Sequence, residues 1–338
     1  MDALLRVYSP FSRLVCRAKS ARRGKSRGRQ RVSPIPVVSV GSLTLGGSEK
    51  TPMVIEILRL ALELGRRPAM ITRGYKGAWE DGGGVLSDGR TILAGWREAG
   101  DEPAMVARVV PRAGIFVGKH RFRSCLEAEK SGFDLAVLDD GFQHLKLARD
   151  LDIVLHDDAE SGPLREGFSA LGRADILLWK KGGDEGRLRR IRDRFPGLSS
   201  VHVYEVKASG LRLLDSGTEF PADALRGKRV LAVSGIARPR RFASSVGGTG
   251  ALPAAVLEFP DHHPYPARSL DRIAAAAEKA GAEAVITTEK DAVKLAGRLP
   301  ASLAERTFVL EAGLVLPPAL LDRLRGFLGS LSGRGVRP

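Results

Sequence analysis

Cysteine is nearly absent: Cys16 and Cys125 are the only two in 338 residues, far apart and without a His or Cys at metal-ligand spacing. That suggests neither a disulfide framework nor a zinc site, and it makes the cytoplasm the expected compartment. No apolar run reaches the roughly 18 residues of a bilayer-spanning helix. The N-terminus also lacks the continuous apolar stretch of a secretory signal. The chain is therefore expected neither to cross a membrane nor to be exported by that route. Acidic residues are scarce at the start, where residues 1–31 hold Asp2 alone against Arg6, Arg13, Arg17, Lys19, Arg22, Arg23, Lys25, Arg27, Arg29 and Arg31. Low hydrophobicity is not a feature, since 43% of residues are hydrophobic and 28% charged, values of a chain that folds.

This basic start supplies much of the formal net charge of +15. Leu4, Leu5, Tyr8, Phe11, Leu14 and Val15 recur at roughly helical spacing ahead of its densest part, so the segment reads as an amphipathic helix followed by a polybasic tail. Such a segment can lie in a lipid headgroup plane, each cation adding about 1 kcal/mol near an anionic surface. A helix packed on the protein's own core is the competing reading. Nucleic-acid binding fits poorly, because the tail carries no interleaved aromatics and no recognition motif follows it.

From Pro36 onward, short β-rich runs alternate with helical patterns, the signature of an α/β protein with a mainly parallel sheet flanked by helices. Strands are expected at Pro36–Val40, Ala69–Thr72, Leu135–Asp139, Asp152–Leu155 and Asp175–Trp179. Helices are expected near Thr51–Leu64, Glu102–Val109 and Arg121–Ser131, and the Gly-rich stretch Gly74–Gly95 reads as a hairpin or loop. A second series places strands at Arg229–Ser234, Ala254–Phe259, Glu283–Thr288 and Thr307–Leu310, with helices at Leu270–Ala280 and Pro318–Gly329. The length suits two cores. The expected division is a basic segment 1–31, a P-loop domain 32–215 and a smaller α/β domain 216–330, with the strand-like run His202–Leu214 at the seam.

The run from Val37 to Pro52 joins an apolar strand to a Gly-containing loop and then to Lys50-Thr51 at a helix start. That is P-loop architecture, in which Thr44, Leu45, Gly46, Gly47, Ser48, Glu49, Lys50 and Thr51 would cradle phosphates. Amides at a helix N-terminus bind phosphate oxygens, Lys50 reaches the terminal phosphates and the Thr51 hydroxyl ligates magnesium. The eight-residue pattern wants Gly at positions 44 and 49 and finds Thr44 and Glu49. Glu49 puts a carboxylate beside the cradle, which is unfavourable unless the side chain points outward or pairs with a cation. A plain Gly-rich turn is the competing reading.

A second element supports the first. Asp134 to Leu138 is an apolar strand that ends in Asp139-Asp140-Gly141-Phe142-Gln143-His144. Paired carboxylates at such a strand tip are how a magnesium-holding Walker B strand looks. An Asp-Asp-Gly turn closing a strand is the alternative.

Those runs, taken with Arg73-Gly74-Tyr75, Gly100-Asp101-Glu102-Pro103, Phe259-Pro260-Asp261-His262-His263 and Thr287-Thr288-Glu289-Lys290-Asp291, resemble the tetraacyldisaccharide 4'-kinases in order and spacing over roughly residues 1–330. The resemblance implies transfer of the γ-phosphate of ATP, with magnesium, to the 4'-hydroxyl of a tetraacyldisaccharide 1-phosphate, giving lipid IVA at the cytoplasmic face of the inner membrane. It implies that Lys50 and Thr51 bind phosphates and magnesium and that Asp139 and Asp140 form the metal-side pair, with Gln143 and His144 ordering them. It also implies that Asp101 accepts the hydroxyl proton, that His262 is its partner from the second domain, and that the active site lies between the domains. Arg73, Tyr75 and Arg121 become candidates for headgroup or phosphate contacts, with Glu102 beside the catalytic pair. Family members usually carry Asn at the position of Ser42 and Gly at that of Glu49. Anionic lipid at the inner-membrane surface is the implied partner besides the glycolipid; neither nucleic acid nor an obligate protein partner is expected. Two other readings stand beside this one, a P-loop kinase or NTPase acting on a soluble substrate, and a non-catalytic nucleotide- or nucleic-acid-binding module. For Asp101, capping of the following helix is a competing role.

Overall fold

The computed structural model describes residues 30–44, 49–158 and 164–331. The amphipathic helix and nearly all of the basic tail expected over residues 1–31 lie outside the described residues, as do Leu45, Gly46, Gly47 and Ser48 of the phosphate loop. Two compact units emerge. The first holds the residues up to Ala99, Val106–Glu205 and the residues from Val315 on; the second holds Gly100–Met105 and Val206–Leu314.

In the first unit, strands β1 (Val37–Ser42), β2 (Pro68–Thr72), β3 (Gly84–Asp88), β4 (Gly114–Val117), β5 (Leu135–Leu138), β6 (Leu151–His156), β7 (Ile176–Lys180) and the start of β8 (Ser200–Leu213) are ordered β8-β7-β6-β1-β5-β2-β4-β3. All neighbours are parallel except β3, which runs antiparallel to β4. β1, β2, β4, β5 and β6 are buried along their whole length. Helices cover both sheet faces, which is why these strands read as continuous apolar runs and not as alternating ones. Helix α1 (Lys50–Glu63) follows β1, and α3 (Arg121–Lys130) packs Cys125 and Ala128 against Val37, Ile71, Phe116 and Ala136, with α2 (Asp101–Val109) lying between them in the chain. Helix α4 (Glu185–Arg194) packs Leu188 and Ile191 against Val154, Leu177 and Trp179.

The second unit is built from the rest of β8 with β9 (Glu219–Phe220), β10 (Arg229–Ser234), β11 (Leu252–Glu258), β12 (Ala284–Thr288) and β13 (Thr307–Val315), ordered β11-β10-β12-β13-β8, with β9 antiparallel to β8. Alternate residues of β10 serve opposite faces. Leu231 and Val233 join Ile273 and Ala277 of α6 (Ala267–Lys279) and Ala292 and Leu295 of α7 (Glu289–Leu295). Val230 and Ala232 join Phe242 and Val246 of α5 (Pro239–Gly248).

The expected strands and helices are present; β9, α4, α5 and α7 come in addition to them, and there are three other differences. β4, a four-residue GIFV run, was not foreseen, and the edge strand β3 pairs with it from within the Gly-rich stretch expected as a hairpin or loop. The division at Glu205/Val206 falls within the run expected at the seam, while Gly100–Met105, expected in the P-loop domain, belong to the second unit. The last helix, α8 (Pro318–Ser330), expected in the smaller domain, belongs to the first unit. Its buried stripe Leu320, Leu324 and Leu328 meets α1, and the Arg66 guanidinium donates to the carbonyls of Leu328 at 3.1 Å and Leu331 at 2.7 Å.

Candidate active site

The first unit assembles the phosphate-binding candidates at the carboxyl ends of β1 and β5, which are adjacent and parallel. Ligands of open α/β sheets bind at such ends. The turn after β5 crosses the tip of β1: Gly141 N–H donates to the Val40 carbonyl at 2.9 Å, and a Cβ on Gly41 would stand 2.3 Å from that of Phe142. Only glycine fits at 41. This approach brings Lys50 to Asp140, their charged atoms 3.5 Å apart. Arg165 pairs with the other Asp140 oxygen. Burial works against the Asp140 charge, but Lys50 and Arg165 outweigh it and hold the carboxyl below its usual range.

Asp139, only 3% exposed, directly follows β5 with its N–H on the Ile71 carbonyl. Thr51 is buried in the first turn of α1. Gln143 donates to the Ser42 carbonyl at 3.0 Å, tying the acidic turn to the loop, and the Ser42 hydroxyl lies 2.9 Å from that of Thr44. Arg121 is buried, donates to the Gly118 carbonyl at 2.7 Å, and feels both Asp139 and Asp140. Burial and the neighbouring cations Arg121, Arg149 and Lys146 push His144 down to about 4, so it is neutral at pH 7. Arg73 and Tyr75 follow β2 and are exposed, Arg73 engaging Glu80 at 2.6 Å.

Two carboxylates and a hydroxyl make a hard-oxygen donor set. No group of three or more His, Cys, Asp or Glu capable of holding a metal occurs among the described residues. That composition fits magnesium, which keeps several waters and takes substrate phosphates as ligands alongside one or two carboxylates.

The second unit contains the other pair. Asp101, 5% exposed, accepts from His262 Nδ1 at 2.9 Å, and its Oδ2 lies 3.2 Å from the ammonium of Lys294. Lys294 is fully buried and also meets Asp291 at 3.1 Å. Asp291 in turn accepts from the Gly235 N–H and the Thr288 hydroxyl, both at 2.8 Å. Lys290 reaches Glu102 at 3.5 Å and His262 Nε2 at 3.4 Å. Burial alone would raise the Asp101 pKa; the His262 hydrogen bond and the charges of Lys290 and Lys294 overcome it and depress it to about 2. His262 and Tyr265 adopt left-handed backbones, φ 66° and 51°. Such strain in one short loop marks a segment held by its surroundings. The adjacent His rings diverge: His263 lies 2.9 Å from the Ser269 hydroxyl and stacks on Phe259.

The family described as LpxK, tetraacyldisaccharide-1-P 4'-kinase, matches residues 1–328. This chain belongs to that family. Tetraacyldisaccharide 4'-kinases of Pelobacter propionicus and Geobacter metallireducens are 37% and 39% identical to it, covering 96% and 94% of this chain and 93% and 96% of their own lengths. The crystal structure of LpxK from Aquifex aeolicus in complex with ATP superposes with a TM-score of 0.75 at 27% identity, covering 96% of this chain and 98% of that one.

Within this 4'-kinase, four polar residues escaped the sequence reading: Arg165 on Asp140, Lys180 on Glu49, Lys290 on Glu102 and Lys294 on Asp101. Lys290 stood inside a motif that had been noted. The other three are basic residues with no local pattern, and only tertiary contact identifies them.

Proposed function

We propose that the phosphate-loop residues of the first unit hold the nucleotide of this kinase and that the Asp101–His262 pair of the second unit serves the acceptor. The enzyme transfers the γ-phosphate of ATP to the 4'-hydroxyl of a tetraacyldisaccharide 1-phosphate in lipid A assembly, giving lipid IVA. The observation that carries the nucleotide assignment is Lys50 lying 3.5 Å from Asp140 at the joined tips of β1 and β5.

Phosphoryl transfer needs positioning and charge stabilisation more than covalent help. Lys50 exchanges its contact with Asp140 for the terminal phosphates. Thr51, Asp139 and Asp140 would hold magnesium, which when bound neutralises charge on the β- and γ-phosphates. Gln143 keeps the acidic turn in register with the loop. Asp101, with a pKa near 2, is a weak base toward an unreacted alcohol. It therefore first orients the hydroxyl, and takes the proton late, when bonding to phosphorus has made the alcohol acidic. His262 holds that carboxylate from its Nδ1 side. Arg73, Tyr75 and Arg121 are the proposed headgroup and phosphate contacts.

No described helix is long and apolar enough to cross a membrane. Residues 1–31 dock the kinase on anionic lipid at the cytoplasmic face of the inner membrane, where the acyl chains of the substrate stay while the headgroup reacts. Deleting them should abolish sedimentation with anionic vesicles while leaving turnover of detergent-dispersed substrate. Unchanged sedimentation would remove the docking role.

The deciding experiment incubates the full chain with labelled ATP, magnesium and a tetraacyldisaccharide 1-phosphate, followed by mass analysis of the lipid. One added phosphate at the 4' position is expected, and its persistence in Lys50→Ala would overturn the nucleotide assignment.

A further inference from the structure

Glu49 stands where the phosphate-loop pattern places glycine. Its backbone is left-handed, φ 50° and ψ 30°, the conformation for which glycine is the default. A glutamate there carries both backbone strain and a negative charge one residue before Lys50.

The side chain does not face solvent. Its two oxygens lie 3.2 Å from the Lys180 ammonium and 3.3 Å from the Tyr204 hydroxyl. Lys180 ends β7 and is shared with Asp157, 2.8 Å away just beyond β6. Tyr204 is buried and sits opposite Lys180 in the parallel β7–β8 ladder. The end of β7, the residue just past β6 and an interior residue of β8 thus supply the cation, the second carboxylate and the hydroxyl around one side chain of the loop.

We infer that Lys180 is a charge-compensating positioning residue for nucleotide binding. It draws the Glu49 carboxylate onto the β7 end, offsets its charge, and so lets an acidic loop accept polyphosphate. Tyr204 fixes the second oxygen, and the two contacts hold residue 49 in the left-handed conformation that α1 needs at its start. This inference rests on the reading that the Lys50–Thr51 loop binds ATP.

The test compares Lys180→Met in two backgrounds, the natural chain and Glu49→Gln, by magnesium-ATP titration and steady-state kinetics. In the natural chain, loss of the cation should raise the ATP dissociation constant and KM about tenfold, with kcat changed less, as expected for roughly one uncompensated charge beside the phosphates. In the Glu49→Gln background the same substitution should cost about threefold or less, because only the Lys180–Asp157 contact is then lost. Equal losses in the two backgrounds would overturn the inference, since they would confine Lys180 to Asp157. A fall in kcat alone would do the same. Thermal melts of all four proteins identify a variant that has failed to fold, and Lys180→Arg then replaces Lys180→Met, with near-natural KM expected. Failure of the natural chain itself to bind magnesium-ATP would reject the nucleotide reading, whereas binding without coupling rejects only the role of Lys180.

Discussion

Asp101 and Lys294 show how far a single contact sets the charge of a buried group. The buried ammonium lies between Asp101 and Asp291, so removing it leaves two carboxylates facing each other in a site water hardly reaches. Lys294→Met should lower kcat by about tenfold or more and raise the Asp101 pKa, a change read as an acid limb moving upward in the pH dependence of kcat/KM. Asp101→Asn should cost about a hundredfold or more in kcat and leave the ATP KM near its natural value. The Asp101 carboxyl also ties stability to pH. Its folded pKa, about 2, lies below the ordinary 3.8, so the unfolded chain binds the proton more readily. The contribution is therefore complete above about pH 3.8 and disappears as pH falls through about 2. Urea midpoints of the natural chain and Asp101→Asn should differ at pH 6 and converge toward pH 2.

At the scale of elements, termini and tight crossings set the geometry that side chains then use. Thr288 caps α7, accepting from the Asp291 N–H at 3.0 Å, and its hydroxyl donates to the same side chain. Thr288→Ala should cost about 1 kcal/mol in urea unfolding, typical of a lost N-cap. Because Asp291 then loses one hydrogen bond, kcat should fall as well. α8 holds to the first unit by Leu320, Leu324 and Leu328. Leu324→Ala should cost about 2–5 kcal/mol, measured by chemical denaturation. Strands β1, β5 and β6 were legible from their apolar runs and α1 from the Lys50-Thr51 start that follows the Gly-containing loop. β3 and β4 were not, because strands of five and four residues beside glycines carry no period long enough to detect. The place of α8 was equally hidden. An amphipathic helix announces that one face is buried but not against which core.

On the scale of the whole molecule, ten Lys and Arg against one Asp before residue 32, the larger part of the formal +15, predict salt-sensitive attachment to anionic vesicles. Sedimentation should weaken steadily as salt is raised, and neutral vesicles should retain much less protein. The order of motifs along the chain determined the family, the two-unit α/β class, and the assignment of Lys50, Thr51, Asp139, Asp140, Asp101 and His262 as candidates. Sequence could do this because the candidate phosphate cradle and the candidate metal-side strand tip are local patterns, each specified by neighbours a few residues away. What only the tertiary structure decided is which distant charges serve them: Arg165 for Asp140, Lys294 for Asp101 and Lys180 for Glu49. Lys180 and Glu49 are separated by 131 positions, and Lys294 and Asp101 by 193. Coulombic attraction acts through space, and a lone basic residue carries no periodicity or spacing that would announce its partner before the strands place it there.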